Sequence, residues 1–273
     1  LPSVLPASLE NLNCAENEIS ALPTKWPKAI TEMNVSANPL KTLGENLPAT
    51  LEVLGCVANE LTELPQNMPP NLLELNCSIN PLKKLPNDLP VTLERLACVR
   101  NELKKLPSKL PPNIEQINCA KNELDELPKN FPLSLISLIC TENVIDKLPA
   151  NLPENLVELK CDKNNLAALP DSLPASLTVL QCNENNLTAL PEKLPRKLFE
   201  LDCAENQLTK LPTNLPKNLT RLDCAANQLD KLPTLPVYLK NLNIDDNKIE
   251  CLPNVPSAFT ETPYAKMLCE EKK

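Results

Sequence analysis

A twelve-turn solenoid built mainly of β structure is the fold this sequence predicts. Three observations predict it: an asparagine that returns every 21 residues, leucines at fixed offsets around it, and two columns of proline. The asparagine stands at Asn17, Asn38, Asn59, Asn80, Asn101, Asn122, Asn143, Asn164, Asn185, Asn206 and Asn227, and a last step of 20 reaches Asn247. The unit reads L-x-x-L-x-C-x-x-N-x-L-x-x-L-P-x-x-L-P-x-x, which is the leucine-rich-repeat pattern with cysteine in the third leucine slot. The class is therefore a leucine-rich-repeat solenoid, the α/β horseshoe in its mainly β form, with a parallel sheet on the concave face.

The strand comes first in each unit. In "LENLNC", Leu9 leads in, and Leu12 and Cys14 alternate with Asn11 and Asn13. Alternation with period two makes a strand with one buried face. Equivalent strands stack in parallel about 4.8 Å apart, and each repeat touches mainly its neighbours. The rest of the unit cannot be interior helix. Twenty-five of the 30 prolines fall in two columns, one from Pro2 through Pro23 and Pro65 to Pro253 with Gly44 as its gap, the other from Pro6 through Pro27 to Pro256. Proline fixes φ and donates no hydrogen bond. Extended, polyproline-like segments are expected on the convex side.

The asparagine column reads as structural. Asn brings two donors and an acceptor to the bend after the strand, where it can satisfy backbone groups of its own and the next repeat. Ten cysteines fill the third leucine slot: Cys14, Cys56, Cys77, Cys98, Cys119, Cys140, Cys161, Cys182, Cys203 and Cys224. Val35 and Ile244 complete the column, so the slot accepts plain hydrocarbon, and a free thiol packs as a small hydrophobe. Disulfides between equivalent, parallel side chains fit the S–S torsion poorly. Zinc wants converging Cys or His ligands, and the chain has no His. The expectation is an inert core of reduced thiols, suited to a cytosol-like environment. Cys251 and Cys269 stand outside the column; two unpaired thiols are expected, with a terminal clasp as the alternative.

Composition excludes several roles. The 273 residues carry a formal net charge of −8 and 2% aromatics, which speaks against a nucleic-acid partner. No stretch of 18 apolar residues is present, so no membrane span is expected, and the opening residues show no leader pattern. No glycine-rich phosphate loop or nucleophile–base pair is placed together; no cofactor, metal or catalytic residue is expected. The opening "LPSVLP" aligns with "LPTKWP" at residues 22–27, so the chain starts mid-repeat and reads as cut from a longer protein. The solenoid is expected over residues 1–256, with 257–273 a tail or a short capping helix. In that helix Thr262 would be the N-cap, Pro263 the first position, and Tyr264, Met267 and Leu268 one face.

The LPxxLPxxLxxLxCxxNxL unit, carried over residues 1–256, resembles the LPX-type repeats of Gram-negative bacterial effectors, among them the YopM group and the IpaH/SspH/SlrP ubiquitin ligases. The resemblance implies a bacterial protein secreted into the host cytoplasm, where the repeat face binds a host protein. It implies a non-catalytic scaffold, or, as the alternative, the substrate reader of a larger IpaH-type ligase. Those ligases carry a Cys-x-Asp motif after the repeats; here the only later cysteine lies in "LCEEKK". An extracellular receptor ectodomain is a third reading, against which the unpaired thiol column argues.

Outward strand positions would form the concave working surface. Val53, Val57, Ala58, Ile79, Ala97 and Val99, with Ile139 further on, make a small apolar strip interrupted by Glu74 and Asn76 and edged by Arg95, Arg100 and Lys121. Repeats eight to twelve present Glu158, Asp162, Glu184, Glu200, Asp202, Glu205, Asp223, Asp245 and Asp246 against Lys160, Lys163 and Arg221. This acidic half would attract a partner with a basic surface. A second copy stacked on an open end is the other association to expect.

Overall fold

The computed structural model describes residues 1–2, 4–260 and 266–269. The chain divides into two compact units, Leu1–Asn143 and Val144–Lys273. The first holds seven three-residue strands: β1 (Asn11–Asn13), β2 (Glu32–Asn34), β3 (Val53–Gly55), β4 (Glu74–Asn76), β5 (Arg95–Ala97), β6 (Gln116–Asn118) and β7 (Ser137–Ile139). They pair in parallel and in register, each residue with its equivalent one repeat on. The second holds β8 (Glu158–Lys160), β9 (Val179–Gln181), β10 (Glu200–Asp202), β11 (Arg221–Asp223) and β12 (Asn241–Asn243), paired the same way. The parallel-strand leucine-rich-repeat solenoid stands as the sequence predicts. The connections are irregular, with 3-10 turns only near the C-terminus among the described residues.

Every strand from β2 to β11 buries its middle residue. Leu54, Leu75, Leu96 and Ile117 in the first unit, and Leu159, Leu180, Leu201 and Leu222 in the second, are 0–2% exposed. The leucine two places after each asparagine is as deep: Leu61, Leu82, Leu103, Leu166, Leu187 and Leu208 are at 0%. Burying one such side chain stabilises by roughly 1.5–3 kcal/mol, so the leucine ladders are the main driving force.

The asparagine joins neighbouring repeats, but backwards rather than forwards. Asn80 Nδ2 donates to the carbonyls of Cys77 (3.1 Å) and Ser78 (3.0 Å) in its own repeat and of Cys56 (3.0 Å) in the one before. Its Oδ1 accepts the N–H groups of Asn59 (3.2 Å) and Leu61 (3.1 Å), also in the preceding repeat. The partner is the preceding repeat because the bend lies beside the backbone already laid down there. These bonds hold the chain in a costly shape. The residue before each asparagine, from Glu16 and Ala37 to Asp246, is left-handed, with φ between 48° and 57°. None is glycine, and Ile79 is β-branched at φ 57°. An L-residue there costs roughly 1–2 kcal/mol, and the asparagine network fixes the geometry.

All ten column cysteines are free and buried. They do more than fill space. Cys203 N–H donates to Asp223 O at 2.8 Å, and its thiol points at the same oxygen from 3.4 Å. Cys56 does the same toward Asn76 O, at 2.9 and 3.5 Å. Thiols are weak donors, but valine or isoleucine in the slot offers none.

One expectation is corrected at the C-terminal end. Cys251 and Cys269 are joined in a disulfide, with their Cα atoms 4.9 Å apart. Two unpaired thiols were the sequence expectation, because 18 residues separate them and no pattern links them. Leu268 is extended and bridges Leu252 in parallel, so it does not lie on a helix. Thr262, Pro263 and Tyr264, which the expected capping helix would use, lie outside the described residues.

Candidate protein-binding face

The open face of each unit is made of the first and third strand positions, the residue after the cysteine, and the left-handed residue before the asparagine. The alternation that buries Leu96 turns Arg95 and Ala97 outward. In the first unit a shallow groove over β3 to β7 is lined by Val53, Gly55, Glu74, Asn76, Arg95, Ala97, Gln116, Asn118, Ser137 and Ile139. Val57 and Val99 are half-buried beside it, and Ile79 is 44% exposed. The expected apolar strip is thus brought together along one row of repeats.

Its cations are unequal. Arg95 bonds Glu74 directly and approaches Glu94 at 3.6 Å. The Glu74 contact holds its guanidinium pKa above the ordinary value. Lys121 meets Glu142 at 3.3 Å. Arg100, left-handed and exposed, stands in no ion pair among the described residues.

In the second unit the structure redistributes the acids. Lys160 pairs with Glu158 at 2.9 Å and Lys163 with Glu184 at 3.1 Å. Glu200 accepts a hydrogen bond from Gln181 Nε2 at 2.7 Å. Asp162 is 7% exposed, and its Oδ1 accepts the backbone N–H of Asn183 at 3.2 Å. That is a correction: Asp162 belongs to the backbone network, as do Ser36 and Ser78, whose hydroxyls accept from Val57 (3.0 Å) and Val99 (3.1 Å). The unbalanced charge lies on repeats ten to twelve, where Glu205, Asp245 and Asp246 are exposed and Asp202 and Asp223 are half-buried.

The third strand position carries a local task. Asn34, Asn76 and Asn118 accept, through Oδ1, the N–H two residues on, at 3.1, 3.2 and 3.2 Å. Such Asx turns steer the chain into the left-handed residue. Asp202 and Asp223 make the same turn with Ala204 and Ala225, both at 3.2 Å. Their other oxygens accept from Asn183 Nδ2 (2.8 Å) and Asn243 Nδ2 (3.1 Å). They stand directly opposite each other in the ladder. Burial raises the Asp202 pKa, and the Asp223 charge adds to the rise.

Sequence reasoning missed Ile136 and Phe199, which are 41% and 42% exposed one residue before β7 and β10. They border the open face, and the signal was available: a large hydrophobe in a slot that holds Glu, Thr or Lys in eight of the twelve repeats.

With the strand register, the leucine ladders and the asparagine bonds in place, the likenesses are specific. YopM, a leucine-rich effector protein from Yersinia pestis, is 35% identical, over 92% of this chain and 76% of that one, with a TM-score of 0.79. The chain belongs to the YopM-like leucine-rich-repeat family. YopM from Yersinia enterocolitica is 33% identical, over 93% of this chain and 64% of that one, with a TM-score of 0.69. The functional domain of InlJ from Listeria monocytogenes, described as including a cysteine ladder, shares the fold at 23% identity, with a TM-score of 0.57 over 90% of this chain and 67% of that one. No protein-family model and no curated protein sequence matches the chain. Leucine-rich-repeat domains of this kind are generally protein-interaction scaffolds.

Proposed function

We propose that this chain is a non-catalytic repeat domain of effector type that binds a host protein through its open strand face. One observation carries the reading: in each unit a parallel sheet leaves one face uncovered. Parallel sheets are ordinarily covered on both faces, and in repeat proteins the uncovered one is the binding surface. In the first unit Val53, Val57, Ile79, Val99 and Ile139 supply apolar contact, with Arg95, Arg100 and Lys121 at the edge. In the second, Glu200, Asp202, Asp223 and Arg221, with Glu158, Lys160 and Glu184 beside them, face a basic partner surface. The likeness to the Yersinia pestis effector supports a bacterial source and delivery into the host cytoplasm. The second reading, a substrate reader for a larger ubiquitin ligase, uses the same face.

The experiment is capture from host-cell lysate by the wild-type chain and three variants. Ile79→Glu and the pair Asp202→Lys/Asp223→Lys change the open face; Lys105→Glu changes a residue outside it, one paired with Glu126 at 2.7 Å. A protein captured by the wild type and by Lys105→Glu, and lost from either face variant, supports the reading. Capture that survives both face changes overturns it. For the charge pair, the association rate should fall and its salt dependence flatten.

A further inference from the structure

We infer that the Cys251–Cys269 bond is a reducible latch that holds residues 266–269 against the last repeat, and that a small thiol reductant opens it. Among the described residues two backbone bonds join the two stretches. Leu252 N–H donates to Met267 O at 2.6 Å, and Cys269 N–H donates to Leu252 O at 2.8 Å. Leu268, between them, turns its side chain out and is 53% exposed. An isolated pair of backbone bonds is marginal alone, so the covalent link between flanking residues carries the register. Leu252, on which these residues sit, is at 0% exposure.

The latch is chemically set apart from the other ten cysteines. Cys251 and Cys269 are half-buried, whereas from Cys56 to Cys224 the column is at 0% exposure. Burial pushes Cys77 and Cys119 up to about 12, so column thiols neither attack the bond nor compete for oxidant. Opening is thiol–disulfide exchange. A thiolate of the reductant, a dithiol or two equivalents of a monothiol of the glutathione class, attacks one sulfur and breaks the S–S bond. A mixed disulfide forms, the second reductant thiol displaces it, and Cys251 and Cys269 leave as thiols with the two electrons and two protons. Residues 266–269 are then held on Leu252 in an oxidising compartment and released in a reducing one. This holds whether or not the strand face binds a protein.

The test is thiol labelling with amide exchange on the folded chain, with and without dithiothreitol. Without it, maleimide should mark neither Cys251 nor Cys269. With it, both should be marked and the column should stay unmarked. Exchange at the Leu252 and Cys269 amides should then rise about tenfold or more, while exchange at Cys98 stays unchanged. The double variant Cys251→Ser/Cys269→Ser should behave like the reduced wild type with no reductant present. Labelling of Cys269 before reduction overturns the inference. So does reduction, confirmed by two labels, that leaves exchange at Leu252 where it was.

Discussion

Asn80 in the first unit and Asn206 in the second share four hydrogen bonds, on faces of opposite character. Asn206 Nδ2 reaches the carbonyls of Cys182, Cys203 and Ala204 at 3.1, 3.2 and 2.9 Å, and its Oδ1 accepts Leu187 N–H at 2.9 Å. Asn80 repeats this with Cys56, Cys77, Ser78 and Leu61. Yet the residue before Asn80 is an exposed isoleucine, and the residue before Asn206 an exposed glutamate. The inward slots fix the backbone so completely that the outward ones are free to differ. If that is right, changes to inward residues should cost the two units alike, and changes to outward residues should not.

The thiol column gives the largest expected effect. Burial pushes Cys77 and Cys119 in the first unit and Cys224 in the second up to about 12, from an ordinary 9.0. Between those values the unfolded chain gives up protons that the folded chain keeps. Stability is therefore intact below pH 9 and falls as pH rises through the window. One unit above the unfolded pKa each thiol accounts for about 1.4 kcal/mol. Eight such thiols, from Cys56 to Cys224 without Cys140, approach on the order of 10 kcal/mol, as much as the stability of an ordinary domain. Urea midpoints should collapse between pH 8 and about pH 10 in both units. Replacing Cys161, Cys182, Cys203 and Cys224 by valine should blunt the collapse in the second unit. An unchanged pH profile in that variant would show that other groups titrate.

This also bears on what could be read in advance. The repeat, its strands and its buried columns were legible because each rests on spacing, and 21-residue spacing survives in the letters. The thiol's bond to the next carbonyl was not, because Val35 and Ile244 made the slot look merely apolar. The left-handed bend was hidden for a related reason: Ala, Ile, Arg, Lys, Glu and Asp stand where glycine would have announced it. Asp162 read as a surface charge, since nothing in its neighbours says that its carboxylate turns toward Asn183 N–H. The disulfide joins a residue of the last repeat to one beyond it, where periodicity stops.

The asparagines test the symmetry of the comparison directly. Asn80→Ala should leave the N–H groups of Asn59 and Leu61 without a partner, and Asn206→Ala that of Leu187, while the carbonyls that each amide met keep another donor. An unmet buried N–H costs about 1–3 kcal/mol, so each variant should lose about 1 kcal/mol or more in denaturant unfolding. Asn80→Ala should lose the more, by about 1–3 kcal/mol. A loss confined to one unit would break the claim that both rest on the same inward network.

The smallest effect is the sharpest on the outward side. Asp202 fills a slot that holds Asn34, Asn76 and Asn118 in the first unit, each making the same turn. Its carboxyl titrates above the ordinary 3.8, chiefly because it is partly buried. An acid raised in the folded state favours folding while protonated, and that advantage is lost as pH rises through the folded value. At pH 7 the charge therefore opposes the fold slightly, solvent screening keeping the effect small. Asp202→Asn keeps the Asx turn and removes the charge. It should raise the urea midpoint slightly at pH 7 and leave it unchanged at pH 3, where both chains are neutral at this position. The same variant should slow association with a basic partner. A gain in stability together with a loss in association rate would show that the carboxylate is directed outward, at a partner. A gain in stability with binding untouched would leave Asp202 as one more turn residue, and the acidic face would rest on Glu205, Asp245 and Asp246 alone.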